Sequence, residues 1–450
     1  MEVIKINNKL DFVDKENIKV RLLSIKDGEL VVANYADLFM LPGGKIDKGE
    51  SLIDALLREV YEEVGFNIDL DRVEELAVVD NYQSNYPSDG KLINKYTKTY
   101  YYVTDELLPM DKKQSLSERE KEFNFHLLRI NINELVNVLE NKCNGVKETS
   151  FSLELLQVLN VYLKRYGLID LHTHTNLSDG DSNPDKVLSD AIRQYIKVIA
   201  LTDHDTIKGI KSVDKSKYPE LEIINGIELS AKVPVGRLHI LGYGIDLDNQ
   251  ELNDGVEKLR LNNINTMLEL IKQLEIDFGI RFSNEDIEEM IGNNNNLGRP
   301  HVARLLINYG YVKTVQEAFD KYLVYSYDKL GDRKKGLPYS ECIKLIINAG
   351  GIPVLAHPHT LKMNRVELEE FLQELIDLGL KGIEVYHSNI SYEDRLFYLE
   401  LADKYNLFIT GGTDYHGKTV KPDIELGRGR NGNVYVPHNL KILSKIKTSK

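Results

Sequence analysis

The sequence predicts an α/β chain in two parts: a strand-rich unit built around one amphipathic helix, then a parallel βα barrel interrupted by a helical insert. Three observations predict this. Residues 1 to about 145 hold short β-rich runs and turn signals around a single strong helical pattern, LIDALLREVYEEV. From Gly167 onward, short apolar runs alternate with helical patterns, the signature of βα units feeding a parallel sheet. Between about 249 and 337 the alternation stops and a charged helical stretch replaces it.

Taken in order, IKVRLLSI and LVVANY form a strand pair turned at Asp27-Gly28. TKTYYYVT, Thr97 to Thr104, is a further strand, and Asn133 to Leu139 is a closing helix. Phe151 to Tyr166, with Leu153, Leu156, Leu159 and Leu163 on one face, is a helix connecting the halves. Strands follow near 167–171, 197–201, 221–227, 237–243, 352–356, 382–386 and 407–411, with helices at 185–195, 340–349, 365–378 and 391–405. The expected domains are 1–148, a connecting helix 149–166, a barrel from 167–248 and 338–450, and an inserted subdomain 249–337 over the barrel mouth. The insert contains the polar run Asn293–Asn296.

Composition narrows the function. The 450 residues are 42% hydrophobic, ample for large cores, and carry 57 Lys+Arg against 70 Asp+Glu, net −13. That balance argues against a chain that grips extended duplex nucleic acid through broad positive charge. Cys143 and Cys342 form no CxxC and no disulfide framework, which fits a reduced cytoplasm. The N-terminus lacks the apolar core of a signal peptide, and no apolar run approaches the ~18 residues of a membrane span. A cytoplasmic protein without a membrane partner is expected.

The helical pattern lies within GKIDKGESLIDALLREVYEEVGF, residues 44–66. Glu59, Glu62 and Glu63 are related by i+3 and i+4 and so share one helix face. Three carboxylates there repel one another unless cations neutralise them, and hard oxygen ligands suit Mg²⁺ or Mn²⁺. Leu52, Ala55, Leu56 and Val60 form the packing face. Gly43-Gly44 allows a tight loop, and Gly65 can end the helix in left-handed geometry. The segment resembles the Nudix box at every position, including Glu50 and Arg58. The resemblance implies an α/β/α sandwich that cuts a nucleoside diphosphate linked to another group. It implies that Glu59, Glu62 and Glu63 hold metal, that Glu50 supports the metal site, and that Arg58 orients a carboxylate. Tyr82, Tyr86 and the Tyr96–Tyr102 stretch either pack the sheet or stack a base.

The second pattern is histidine at the ends of predicted strands. Six of the chain's 11 histidines fall in DLHTH, TDHD, HILGYG, AHP and TDYH. Ligands at successive strand ends converge on one rim of a barrel, and imidazole with carboxylate suits Zn²⁺, Mn²⁺ or Fe²⁺. In order, His172, His174, Asp179, His204, Glu228, His239, His357, Asp414 and His416 resemble the ligand set of the PHP (polymerase and histidinol phosphatase) family. The resemblance implies a distorted (βα)7-type barrel with a helical insert and three divalent metals. One metal would take His172, His174, Glu228 and Asp414. A second would take Glu228, His239 and His357, and a third Asp179, His204 and His416. Asp203 and Asp205 are either ligands or supporting acids.

Gly298-Arg299-Pro300-His301 lies in the insert. This arrangement resembles the PHP branch that dephosphorylates AMP and 3′,5′-nucleotides and includes 5′→3′ exoribonucleases. Arg299 and His301 are then substrate-binding and catalytic candidates, Arg299 as a bidentate phosphate clamp; the other reading is a helix N-cap turn. His387 points toward the same rim as a substrate contact, His359 is open, and His126 and His438 look incidental. Together the motifs predict a bifunctional metal-dependent hydrolase of nucleotides or short 5′-phosphorylated RNA. Two alternatives stay open. One is trimming of RNA 5′ ends coupled to exonucleolysis. The other is a PHP phosphatase regulated by a nucleotide-sensing Nudix unit. Oligomeric state is not readable.

Overall fold

The computed structural model describes all residues except 36–37, 89, 123, 144–149, 293–296, 332–335 and 447–450. The polar run Asn293–Asn296 and the side chain of Cys143 therefore lie outside the described residues. The chain divides into two compact units, Met1–Gly167 with Asn431–Pro437, and Leu168–Arg430 with His438–Lys450.

The first unit contains β1 (Glu2–Ile6), β2 (Lys15–Lys26), β3 (Glu29–Tyr35), β4 (Leu38–Met40), α1 (Leu52–Val64), β5 (Val73–Ser88) and β6 (Lys91–Thr104). It continues through α2 (Glu118–Glu122), β7 (His126–Asn131), α3 (Ile132–Cys143) and α4 (Ser150–Tyr166). The sheet order is β1-β5-β6-β2-β3-β4, with β7 on β3. The expected β2–β3 turn forms at Asp27-Gly28, both with positive φ of 51° and 80°, the backbone of a primed hairpin turn. Beyond that turn β2 leaves β3 and runs parallel to β6 over Lys15 to Ser24. Helix α1 buries Ala55, Leu56, Val60 and Val64 against Val20, Leu22 and Val31 of the sheet.

The segment Asn431–Pro437 corrects the expected boundaries: reading along the chain placed it in the barrel, yet it belongs to the first unit. Val434 O accepts from Asn133 Nδ2 at 2.7 Å, and the Tyr435 side chain packs against Gly28. A Cβ at Gly28 would sit 2.3 Å from Tyr435 Cγ. A three-dimensional contact of this kind leaves no local mark in a sequence.

The second unit starts with β8 (Leu168–Thr173), α5 (Pro184–Arg193), β9 (Ile196–Leu201), α6 (Lys208–Lys211), β10 (Glu222–Lys232) and β11 (Leu238–Tyr243). The insert follows as α7 (Gln250–Phe278), α8 (Asn284–Gly292), α9 (Arg299–Asn308), α10 (Val315–Ala318), a π-helical turn Phe319–Leu323 and α11 (Val324–Asp328). The barrel resumes with β12 (Leu337–Pro338), α12 (Tyr339–Asn348), β13 (Ile352–Leu355), α13 (Arg365–Asp377), β14 (Gly382–His387), α14 (Tyr392–Lys404) and β15 (Phe408–Gly412).

The sheet order is β15-β14-β13-β11-β10-β9-β8, and a parallel bridge from Thr173 to Tyr415 nearly closes it into a barrel. One strand departs from the all-parallel expectation. β11 runs antiparallel to both β10 and β13, because only a short turn, with Gly236 at φ 78°, separates it from β10. Five residues cannot make the crossover that a parallel pair requires, which takes roughly a dozen or more. The insert has its own core of Met267, Leu270, Leu274, Val302, Leu306 and Leu323. Its third helix begins at Arg299, with Gly298 as the N-cap.

Candidate functional site

In the first unit, Ser51 caps α1 by accepting from the Asp54 N–H, and Gly65 closes it at φ 72°. The helix thereby presents Glu59 and Glu63 toward the loop at Gly43-Gly44, with Glu62 beside them on Arg58. Arg58 organises this face. Its Nε and Nη2 donate to the two Glu50 oxygens at 2.9 and 3.0 Å, and its Nη1 lies 2.9 Å from Glu59 and 3.3 Å from Glu62. Glu63 Oε2 accepts from the Gly43 N–H at 2.8 Å. Burial pushes the Glu59 carboxyl up, against the pull of Arg58. A Cβ on Gly44 would stand 2.2 Å from Glu59 Oε2, so only glycine leaves room for that carboxylate. The three glutamates share the face but do not converge into a single group of donors: among the described residues, all such groups lie in the second unit. Tyr82 and Tyr96 stack on each other at 4.7 Å, and Tyr96 Oη donates to Asp80, so these rings are spent on packing.

In the second unit the barrel rim gathers five imidazoles about one buried carboxylate. Glu228, at the middle of β10, is fully buried. His239 and His357 reach its Oε1 at 2.9 and 2.8 Å; His204, His172 and His174 reach its Oε2 at 3.0, 3.2 and 3.2 Å. His239 opens β11, yet it joins the rim because that strand is reversed. Asp414 Oδ1 lies 3.2 Å from His174, and Asp179 Oδ1 lies 3.2 Å from His416. Burial opposes ionisation of Glu228, but the imidazoles of His204, His172 and His239 hold its carboxyl well below the usual range.

Four overlapping donor groups result. They are His174, Asp179, His204 and His416; His172, Glu228 and His357; His172, His174 and Asp414; and His204, Glu228 and His239. All nine residues expected as ligands fall in these groups; His174 also belongs with the Asp179 group and His239 also with His204, while His239 and His357 share Glu228 Oε1. The donors fit divalent cations on their own chemistry. His172 Nε2, both His174 ring nitrogens and Glu228 Oε2 are buried without a directed hydrogen bond, a costly arrangement unless a cation takes their lone pairs. His357 and Asp414 both hold positive φ, 26° and 56°, a strained geometry of the kind that gathers at working sites.

The substrate candidates divide. His387 is buried at this rim, with Nε2 3.5 Å from Asp414 Oδ2 and its Nδ1 accepting from the Asn389 N–H. Arg299 stacks on Tyr327 at 4.5 Å and on Phe319 at 5.2 Å, and makes no ion pair among the described residues. His301 Nδ1 accepts from the Gly298 N–H at 3.1 Å, so this imidazole caps its own helix. Asp203 receives Thr175 N and Ser178 Oγ at 2.7 and 2.6 Å, and Asp205 receives Ser230 N and Asn263 Nδ2. Asp203 braces the loop after β8, Asp205 ties β10 to α7, and neither joins a donor group. His126 is on the surface against Asn124 O. His359 is half-shielded from solvent beside His357 and His387, and burial lowers it to about 4.

Family models match residues 19–137 to the NUDIX domain and residues 170–378 to the PHP domain. The chain joins a NUDIX domain to a PHP domain. The PHP match ends before His387, Asp414 and His416, which the geometry nonetheless brings to the same rim. Over this half the chain is 29% identical across 249 residues to a 3′,5′-nucleoside bisphosphate phosphatase of Chromobacterium violaceum, covering 55% of this chain and 87% of that protein. It is 27% identical across 254 residues to a 5′-3′ exoribonuclease of Haemophilus influenzae, covering 55% and 89%. The NUDIX half is 36% identical across 102 residues to an RNA pyrophosphohydrolase of a Nitratiruptor species, covering 20% of this chain and 58% of that protein. A crystal structure from Bifidobacterium adolescentis, assigned as a metal-dependent phosphoesterase, aligns with TM-score 0.52 at 27% identity, covering 62% of this chain and 94% of that one. Among the described residues, no helix is long and apolar enough to cross a membrane.

Three residues of the PHP domain escaped the sequence reading. Glu384 is fully buried, accepts from His172 Nδ1 at 2.8 Å and from the His357 N–H at 2.7 Å, and so orients two candidate ligands. Asp170 accepts from Thr413 Oγ1, Thr413 N and Gly427 N, fixing the turn that carries Asp414. Lys421 Nζ lies 2.5 Å from Asp414 Oδ2. An acid inside the apolar run GIEVY was the available signal for Glu384.

Proposed function

We propose that the chain is a bifunctional nucleotide hydrolase: the NUDIX domain cleaves a nucleoside diphosphate linkage, and the PHP domain hydrolyses phosphate esters of AMP, 3′,5′-bisphosphonucleotides or short 5′-phosphorylated RNA. The observation that carries this reading is the ring of five imidazoles on Glu228, a donor set suited to a multinuclear divalent centre. His172, His174, Asp179, His204, Glu228, His239, His357, Asp414 and His416 would hold three ions, with Mn²⁺ or Fe²⁺ favoured over Zn²⁺ by the hard Asp179. Glu59, Glu62 and Glu63, supported by Glu50, would hold Mg²⁺ or Mn²⁺. Bound at these sites, divalent cations supply charge neutralisation of the phosphate and activation of water.

The chain's own residues do the rest. Glu384, by accepting the His172 Nδ1–H hydrogen bond, fixes the tautomer that aims Nε2 at the centre. Arg299, already pinned between two rings, with the charge of Asp328 nearby but no direct ion pair among the described residues, offers its fork to a phosphate. In the tautomer whose Nδ1 accepts from the Gly298 N–H, His301 would carry its proton on Nε2 and could pass it to a phosphate or leaving-group oxygen. His387 lines the same rim as a substrate contact.

A second reading has support in the relatives: one on each half acts on RNA, a pyrophosphohydrolase and an exoribonuclease. Removal of pyrophosphate from an RNA end would then expose the 5′-monophosphate that the second centre consumes. The net charge of −13 favours small or short substrates over long ones. Turnover of AMP, adenosine 3′,5′-bisphosphate, ADP-ribose and 5′-phosphorylated RNA by the purified chain with Mn²⁺ separates the readings. Failure of all four would overturn both.

A further inference from the structure

The loop after β15 brings one cation to the PHP centre. Lys421 Nζ lies 2.5 Å from Asp414 Oδ2 and 3.3 Å from the Asp414 carbonyl oxygen. It stands past residue 378, where the PHP match ends. The loop that carries it is braced on both sides. Asp181 Oδ2 accepts from the Thr419 N–H at 2.7 Å, and the Asp181 N–H donates to His416 O at 2.9 Å. The Lys421 N–H in turn donates to Gly417 O at 2.9 Å.

Asp414 divides its two oxygens. Oδ1 faces the imidazoles, 3.2 Å from His174 Nε2 and 3.7 Å from His172 Nε2. Oδ2 faces Lys421 and, at 3.5 Å, His387 Nε2. The oxygen that joins the donor group and the oxygen that holds the lysine are different ones, so Lys421 and an ion can share this carboxylate. An ammonium has three donors. Two of them are directed at Asp414, and Lys421 makes no other polar side-chain contact among the described residues. Its side chain is 30% exposed, so the third donor is within reach of a ligand. His387 adds a second unspent donor. Its Nδ1 accepts from the Asn389 N–H at 3.0 Å, which places the proton of the neutral ring on Nε2. That nitrogen is buried with no directed hydrogen bond, an unfavourable state for a polar group. Two donors on one carboxylate oxygen, one of them open to the outside, make a contact for an anion.

We propose that Lys421 is a substrate-binding residue of the PHP centre: with its remaining donor, beside His387, it takes a non-bridging oxygen of the phosphate that is hydrolysed, while Asp414 keeps the ammonium in place. The inference rests on the reading of this centre as a phosphoesterase. The ammonium also offsets the charge that Asp414 turns toward an approaching phosphate dianion.

The test uses the full chain loaded with Mn²⁺. Inorganic phosphate is titrated calorimetrically, hydrolysis of AMP and adenosine 3′,5′-bisphosphate is followed by phosphate release, and Mn²⁺ affinity is measured against a chelator. Lys421→Met should weaken phosphate binding and kcat/KM together, by roughly 10- to 100-fold, the loss of one charge-assisted hydrogen bond, while Mn²⁺ affinity holds. Lys421→Gln keeps a donor for Asp414 without the cation and should show the same loss, so a misfolded Met variant does not leave the matter open. A fall in Mn²⁺ affinity, with normal phosphate binding once the metals are loaded, overturns the proposal, because the lysine then only holds a ligand. A rise in Mn²⁺ affinity with normal phosphate binding overturns it too, because the lysine then only stands in for a cation. Wild-type hydrolysis in both variants overturns the lysine contact and leaves the phosphoesterase reading intact. Phosphate binding that the variants lose, in a chain that hydrolyses neither ester, upholds the contact and sinks the phosphoesterase reading instead.

Discussion

Glu384→Gln isolates a residue that touches no substrate yet orients two ligand candidates. The carboxylate accepts from His172 Nδ1 at 2.8 Å and from the His357 N–H at 2.7 Å. A glutamine keeps one acceptor oxygen and turns the other into a donor, so one of the two bonds must be lost whichever way the amide is placed. A hydrogen bond to a charged group contributes about 1.5–3 kcal/mol. Outer partners of ligating histidines are worth roughly 10- to 100-fold in metal affinity, or about 1.4–2.7 kcal/mol. Both routes converge on the same magnitude. Mn²⁺ affinity is measured by competition against a chelator, and phosphoesterase kcat/KM is measured at saturating metal. Affinity should fall by roughly 10- to 100-fold, and activity should be partly recovered at high Mn²⁺. Pyrophosphate cleavage by the first unit should be unchanged. Mn²⁺ affinity within about twofold of wild type in a folded variant, well short of that loss, would refute the positioning argument.

Arg299→Ala should cost roughly 2–4 kcal/mol in kcat/KM for a 5′-phosphorylated oligonucleotide and abolish its preference over the 5′-hydroxyl form, with metal content unchanged. A bare helix cap predicts a lower melting temperature and normal kinetics. Glu62→Gln should remove pyrophosphate cleavage while phosphate-ester hydrolysis continues; retained pyrophosphatase activity would show that the first site is misassigned. Burial, then the charges of Arg21 and Lys95, lower Lys19 to about 8. Lys19 is therefore charged below that pH and neutral above it. Raising the pH from below to above that value should weaken capture of an anionic nucleotide by about 1 kcal/mol, roughly fivefold in kcat/KM, and Lys19→Met should flatten that limb.

Much of the barrel was legible because each strand is a short apolar run closed by a polar ligand. VIAL before Thr202-Asp203-His204 and LFITGG before Asp414 each mark a strand and its rim together. The same local logic located α1, whose buried Ala55, Leu56 and Val60 repeat at helical spacing. What escaped depends on distant pairing. The reversal of β11 follows from the length of one turn. Glu384 sits in the strand register that faces His172, and the Asn431–Pro437 segment is held by Asn133, 301 residues before Val434, and by Gly28, farther back still. The grouping of the donors is likewise unreadable in order along the chain, since His174 belongs to two donor groups at once.

The reversed strand also sets where the insert can be carried. Because β11 runs down the barrel, the chain leaves it at the end away from the ligands, and α7 must climb back. Its N-cap Asn249 donates to Asn348 O at the end of α12, while Asn263, half-way along, bonds Asp205 beside the rim. At about 1.5 Å per residue, the 29-residue helix is roughly 43 Å long. Its first half lies against the barrel as a root, and its second half stands clear as a mast on which the insert core is hung. Such a mast has phase as well as height. Deleting one residue beyond Asn263 would swing everything above it by about 100° and take Arg299 with it. Adding seven would restore the heading but lift it by roughly 10 Å. Helix length in this protein thus sets how far Arg299 stands above the rim that carries Glu228.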